Sequence, residues 1–334
     1  MECTPFVRQQ SPRSLAIRGG DGPVSDEGIS AVADTEVSPD QTAEINLFET
    51  NASKLPDIDS LIFAVSKSGD GSETDPDGIP DRFLRMQKGN RDKAKAAFEH
   101  TVKWRDDHEV DTILKRPQPK FDLCKKIFPV YIPGRDRQNH VVVVQRVGLI
   151  DIEYGEKNDV SGDDLLWYYI YMIEYCWNIL EPAPDAVMTT IMDLKGLRMK
   201  TFRDGNIRKF LRKFVAAMSD NYPNRSHKTM VINAPAWINA AYNLVKPLMR
   251  SSTREKISIS NGGEKQDSLL IEILGADHVP RELLNDPSSI PSNEDDNSKS
   301  ETGHVLSEIE KEMRELVSYC NFTYPSLIHK PFFN

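Results

Sequence analysis

The sequence holds no apolar run near the roughly 20 residues needed to span hydrocarbon; its longest, such as Val141–Val144 and Leu269–Leu274, are interrupted well short of that. A bilayer-crossing helix is therefore not expected. Cysteine is scarce as well: Cys3, Cys124, Cys176 and Cys320 lie far apart with no C-x-x-C pair, which argues against a cysteine zinc site or a dense disulfide framework and fits a reducing compartment. Basic residues do not dominate. Lys and Arg number 42 against 51 Asp and Glu, a formal net charge of -9, whereas a constitutive nucleic-acid binder needs a basic stripe to meet phosphates. The first residues carry Arg8, Arg13 and Arg18 among serines, faintly like an organelle transit peptide, without the apolar core of a secretory signal. The N-x-[ST] triplets at Asn51, Asn224 and Asn321 then read as chance matches rather than glycosylation sites.

The spacings that catalysis requires are missing too. There is no G-x-G-x-x-G after a strand-like run, no G-x-x-x-x-G-K-[ST], no G-x-S-x-G and no H-E-x-x-H. Gly262-Gly263 follows a strand-like run but lacks the continuation that cradles a phosphate. No cysteine is followed at the sixth position by arginine, and the seven histidines have no carboxylate partner at motif spacing. Catalytic residues, metal ligands and a cofactor are accordingly not expected, and a hydrolase assembled only in space is the lesser alternative.

With 39% hydrophobic residues in 334, the chain can nevertheless bury a core. Residues 1–45 are rich in Ser, Gly, Pro and Asp without apolar periodicity, and read as a disordered arm. Residues 46–78 read as a short helix (Leu55–Val65) and a Gly/Ser/Asp linker, and 285–303 as an acidic, Ser/Pro-rich linker. Residues 304–334 hold an amphipathic helix (Leu306, Ile309, Met313, Leu316) and an aromatic tail, Tyr324–Phe333. Within the body, residues 79–125 read as a helical subdomain: Phe83 and Leu84 anchor a first turn, Asn90 is placed to cap a helix, and Ala94, Ala97, Phe98, Thr101 and Trp104 recur at helical spacing. Beyond it, β-rich runs at 141–147, 187–193, 229–233 and 257–260 alternate with helical stretches at 164–180, 206–222 and 235–249. That alternation predicts an α/β fold with a mainly parallel sheet.

Several motifs fall in a telling order: Asp81-Arg82-Phe83-Leu84-Arg85, Trp104-Arg105, Asp111-Thr112-Ile113-Leu114, Asp193-Leu194-Lys195-Gly196, Asn221-Tyr222-Pro223, Val231-Ile232-Asn233-Ala234-Pro235, and Tyr242 to Leu248 running into Thr253-Arg254-Glu255-Lys256-Ile257. Together they resemble the CRAL-TRIO lipid-binding family, the group of the phosphatidylinositol transfer proteins and the tocopherol and retinaldehyde carriers, over residues 79–284. The resemblance implies a sheet floor, flanking helices and a helical gate over a lipid cavity in residues 126–284. It implies a non-catalytic carrier that takes one lipid or hydrophobic molecule from a membrane surface, needs no cofactor, and works in the cytoplasm in transient contact with membranes.

Physically, 235–249 is an amphipathic helix with Trp237, Ala240, Ala241, Leu244, Val245 and Leu248 along one face and Asn239, Asn243 and Lys246 opposite. Packing on the sheet is the plain reading of that face; the resemblance makes it the gate. The cavity is then expected to be lined by Tyr168, Tyr171, Tyr175, Met188, Met192, Phe210 and Phe214, under Trp237, Ala241, Leu244, Val245 and Leu248. By resemblance the headgroup set is Thr253 and Lys256, at a spacing that faces one way on a helix, with Asn224, Lys88 and Thr190. Two departures matter: Asn224 stands where phosphatidylinositol binders of the family carry Glu, and Gln87 where they carry Arg. At the positions tied to phosphatidylcholine, Ile132, Val143 and Met188 replace two tyrosines and a serine, so weak phosphatidylcholine binding is expected. The alternative of a different class is a protein-interaction scaffold that keeps the fold and recruits a partner through its N- or C-terminal tails.

Overall fold

The computed structural model describes residues 78–183, 185–290 and 306–323. The expected arm 1–45, the helix and linker through residue 77, the acidic stretch 291–305 and the tail 324–334 lie outside the described residues.

Five strands form one sheet in chain order: β1 (Val130–Arg135), β2 (Val141–Gln145), β3 (Met188–Asp193), β4 (Ser226–Ile232) and β5 (Ile257–Ile259). β1 pairs antiparallel with β2, and the other three pairings are parallel. The sequence pattern passes over β1 because it contains Pro133 and Gly134, residues that weaken a strand reading and belong at edges; β1 is an edge strand whose register slips between Tyr131 and Gly134. Side chains alternate across the sheet. Val142, Val144, Ile191, Met230 and Ile232 pack on one face with Leu270 and Leu274, while Thr190, Met192, Thr229 and Val231 face the other way.

A helical subdomain precedes the sheet: α1 (Asp81–Met86), α2 (Arg91–Asp107), a 3-10 turn (Val110–Lys115) and α3 (Phe121–Ile127). The Asn90 side chain caps α2 by accepting from the Lys93 N–H at 3.0 Å. The crossovers carry α4 (Ile152–Lys157), α5 (Gly162–Tyr175, continued by a π turn, Cys176–Leu180), α6 (Met199–Arg203), α7 (Gly205–Asn221), α8 (Ile238–Val245, then a 3-10 turn, Lys246–Leu248) and α9 (Ser251–Arg254). Because spatial order follows chain order, each parallel crossover steps the same way, and right-handed connections then put all their helices on one face. The opposite face is covered by α10 (Glu264–Leu274). α5 begins with a capping box in which Ser161 and Asp164 satisfy each other's backbone N–H groups.

Four of the resembling motifs turn out to hold the scaffold. The Asp193 carboxylate accepts from Arg146 Nε (3.0 Å), the Lys195 N–H (2.9 Å) and Asn233 Nδ2 (2.8 Å), tying the ends of three strands together. Tyr222 donates at 2.5 Å to Glu174, which also receives both Arg105 terminal nitrogens at 2.7 and 2.9 Å. The C-terminal α11 (Glu308–Thr323) docks on the body through Met313, Leu316, Val317 and Cys320 and a buried Lys125–Glu310 ion pair. The folded body also runs past residue 284 into the stretch expected to be linker. Asp267 accepts from the Asn285 and Asp286 N–H groups, and Ile290 is buried in the α10 core.

Candidate functional site

Between the helix-bearing face of the sheet and α5, α7 and α8 lies a cavity of about 340 Å³, within the range of small-molecule sites, roughly 300–1,000 Å³. Its floor is Thr190 and Met192 of β3, Thr229 and Val231 of β4, and Ile257 and Ile259 of β5. One wall is α7, whose Ile207, Phe210, Leu211, Phe214, Val215 and Met218 follow the 3.6-residue period. Another is α5, through Tyr169, Ile173 and, one turn on, Trp177. The Trp177 indole N–H has no hydrogen-bond partner among the described residues, and the Arg225 guanidinium stacks on its ring at 4.6 Å.

One end of the cavity is polar and one-signed. Arg225, Arg250 and Lys256 line it with Thr253, Ser252, Ser219 and Asn224, and among the described residues no Asp or Glu lines it anywhere. Lys256 Nζ donates to the Ser226 carbonyl at 2.5 Å. Its pKa is lowered by burial and by the positive charge of Arg85 on α1. Arg85 thus brings a cation from the N-terminal helices towards this end, although the sequence comparison turns on Gln87; the signal is a basic residue two positions earlier, on the short helix that Gln87 caps.

Of the residues singled out from sequence, Thr253, Lys256, Asn224, Thr190, Met188, Met192, Phe210 and Phe214 all line this one cavity. Thr253 and Lys256 do so by a different device than helical spacing. The helix ends at Arg254, and a turn in which the Lys256 N–H bonds the Thr253 carbonyl at 3.1 Å brings both to the wall. The Asn224 side chain, at φ +57°, donates from Nδ2 to the Arg82 carbonyl at 2.8 Å, which joins the cavity rim to α1.

Four assignments outside the gate are corrected. Tyr168, Tyr171 and Tyr175 do not line the cavity. They occupy the stripe of α5 that faces away from it: Tyr168 and Tyr171 pack edge-on against Phe121 at 5.3 and 5.7 Å, Tyr168 donates to the Val130 carbonyl, and Tyr175 is buried towards α11. The helix is buried from Leu165 to Tyr175, so hydrophobicity does not distinguish its stripes. Lys88 is exposed in the turn after α1 and takes no part in the lining.

The expected gate is a shorter helix than its pattern suggested. Ile238 and Tyr242 of α8 and Met249 beyond it meet the cavity, and Asn239, Asn243 and Lys246 are exposed as expected. Trp237 is not a lining residue; it precedes α8 and packs on Phe202 at 5.9 Å. The side chains of Ala241, Leu244, Val245 and Leu248 lie outside the described residues. No described side chain of α8 is fully buried, in contrast to α5. Among the described residues no helix is long and apolar enough to cross a membrane.

Residues 125–283 match the family model of the CRAL/TRIO domain. The chain is 28% identical over 243 residues to the Sec14 cytosolic factor of Schizosaccharomyces pombe, covering 70% of this chain and 82% of that one. It is 27% identical over 210 residues to the phosphatidylinositol/phosphatidylcholine transfer protein SFH12 of Arabidopsis thaliana, covering 60% of this chain. It spans only 38% of SFH12 and 37% of the related SFH7. The crystal structure of Sfh5 aligns with a TM-score of 0.43 at 16% identity, over 55% of this chain and 68% of that one.

Proposed function

We propose that the chain, whose residues 125–283 match the CRAL/TRIO domain, takes up a single lipid and carries it between membranes, with an anionic headgroup at the Thr253–Lys256 end. The observation that carries this reading is the cavity itself: an apolar chamber that three cations and no described carboxylate line, in a chain of net charge -9. Each CH₂ drawn from hydrocarbon into water costs about 0.8 kcal/mol, so an acyl chain leaving a bilayer unaided meets a barrier on the order of 10 kcal/mol. A chamber walled by α7 and floored by β3 to β5 removes most of that cost. Thr253 and Lys256 then supply a hydroxyl and an ammonium to phosphate oxygens, and Asn224 a partner for a polyol.

Entry requires a wall that yields. α8, which brings Ile238 and Tyr242 to the cavity and turns Asn239 and Asn243 outward, is the gate in this reading. No bond is made or broken, and no cofactor takes part. The relatives named for a lipid carry both phosphatidylinositol and phosphatidylcholine in their names, and the cationic end favours the anionic one of the two; the chain is taken to act in the cytoplasm in passing contact with membranes.

Lipid extracted from the purified protein and identified by mass spectrometry tests the proposal, with an anionic phospholipid as the expected result. Recovery of phosphatidylcholine as the main lipid would overturn the headgroup assignment, and recovery of none, with no uptake from vesicles, the carrier reading itself. Lys256→Ala should lower transfer of phosphatidylinositol more than that of an uncharged lipid; equal loss of both would remove the phosphate role.

A further inference from the structure

The sequence gives no metal motif, yet the fold gathers Asp136, His140 and His227 so that one ligand atom of each lies within 4.8 Å of the others. We propose that these three residues form a site for one divalent transition-metal ion, zinc by the chemistry of the donors, at the start of the parallel strands on the face away from the cavity. Asp136 and His140 frame the turn between β1 and β2, and His227 is the second residue of β4.

Local construction draws the three residues together. Strand pairing skips His227: Met188 pairs with Ser226 and the next residue, Thr189, with Lys228. Such an extra residue re-aims a side chain, and here it stacks the His227 ring on that of His140, centroids 4.0 Å and planes 25° apart; sharing an ion in the plane of both imidazoles requires one ring to turn about its side-chain bonds. The carboxylate is held by a shell of its own. Asp136 Oδ2 accepts from Thr189 Oγ1 at 2.7 Å, and Oδ1 from the Gln138 and His140 N–H groups at 2.9 Å each. Outer hydrogen bonds of this kind fix the direction of a metal-binding carboxylate. His140 Nδ1 lies 3.2 Å from Asp136 Oδ2, and a metal ion would stand in for the proton they share.

Two imidazoles and one carboxylate suit zinc, with copper, nickel and iron as further takers, and three protein ligands leave a fourth position for water. An ion here would clamp the β1–β2 turn to the start of β4. That start is Ser226, whose carbonyl holds Lys256.

The test uses the full chain, stripped with a chelator and titrated with Zn²⁺ against a chromogenic competitor. Co²⁺ serves as the spectroscopic stand-in. One ion per chain is expected, and the Co²⁺ form should show ligand-field bands without thiolate charge transfer, since no cysteine belongs to the set. His140→Gln and His227→Gln should each weaken binding by about tenfold or more, while His100→Gln, on the exposed side of α2, changes nothing. Absence of Zn²⁺ uptake, a thiolate band, or folded His140 and His227 variants that bind as well as the parent would each overturn the proposal. Should both variants fail to fold, diethyl pyrocarbonate labelling of the unaltered chain decides: Zn²⁺ must protect His140 and His227, and equal labelling with and without the ion overturns the site.

Discussion

The Arg105–Glu174–Tyr222 cluster shows how a few residues fix a junction. Burial alone would raise the Glu174 carboxyl, but the Arg105 guanidinium and the hydrogen bonds from Arg105, Tyr222 and Asn178 outweigh it and hold the group below its ordinary value. Glu174→Gln would leave the Arg105 charge buried without its counter-ion, and breaking a buried pair from one side costs about 3–5 kcal/mol. A urea midpoint lowered by that free energy divided by the denaturant slope is expected, and a negligible shift would show that Asp111, the other Arg105 partner, suffices. Gly148 makes a different kind of point. A Cβ built there would collide with the Lys195 carbonyl group, so Gly148→Ala must push apart the turn after β3. A loss of about 1–3 kcal/mol is expected for such overpacking, read as a lower Tm.

At the scale of elements, α11 and α8 are opposites. α11 lies far along the chain from the domain it covers, yet Glu310 meets Lys125 in a buried pair and Met313, Leu316 and Val317 close the core around α3. Burial lowers the Lys125 pKa against the pull of Glu310, so Glu310→Ala strands a desolvated ammonium. A cost of about 3–5 kcal/mol and earlier proteolysis of the C-terminal helix are expected. α8, by contrast, is held near its start by the Trp237–Phe202 contact. Aromatic pairs contribute about 0.5–1.5 kcal/mol beyond burial, so on the proposed carrier reading Phe202→Ala, which removes a lining side chain together with this contact, should loosen α8 and speed lipid exchange between vesicles. An unchanged exchange rate would show that this contact does not restrain α8.

For the whole molecule, the shifted groups set a direction for stability against pH. Glu174 and Asp136 titrate below their ordinary values of 4.5 and 3.8. Their contribution is therefore complete above those values and lost as pH falls through the lower folded ones. His227 is lowered from 6.5, so its contribution is complete above 6.5 and is lost as pH falls below it. Denaturant midpoints should thus fall in two stages on acidification, the first near the histidine range. His227→Gln should remove the first stage alone, and persistence of both stages would assign it to another group.

Local pattern determined most of the architecture. The periodicity of α7, the β-branched run Val141–Val144 and the capping residue Asn90 are short-range signals, and a helix that is apolar on one side reveals which side meets the cavity. Three things waited for the tertiary structure. Pro133 and Gly134 hide β1 until β2 supplies its hydrogen bonds. The stripes of α5 are equally apolar, so only the positions of α3, α7 and α11 assign Tyr169 to the cavity and Tyr168, Tyr171 and Tyr175 to the core. The cluster of Asp136, His140 and His227 spans about ninety positions of chain, and strand pairing, a long-range event that no local periodicity encodes, is what brings its members together.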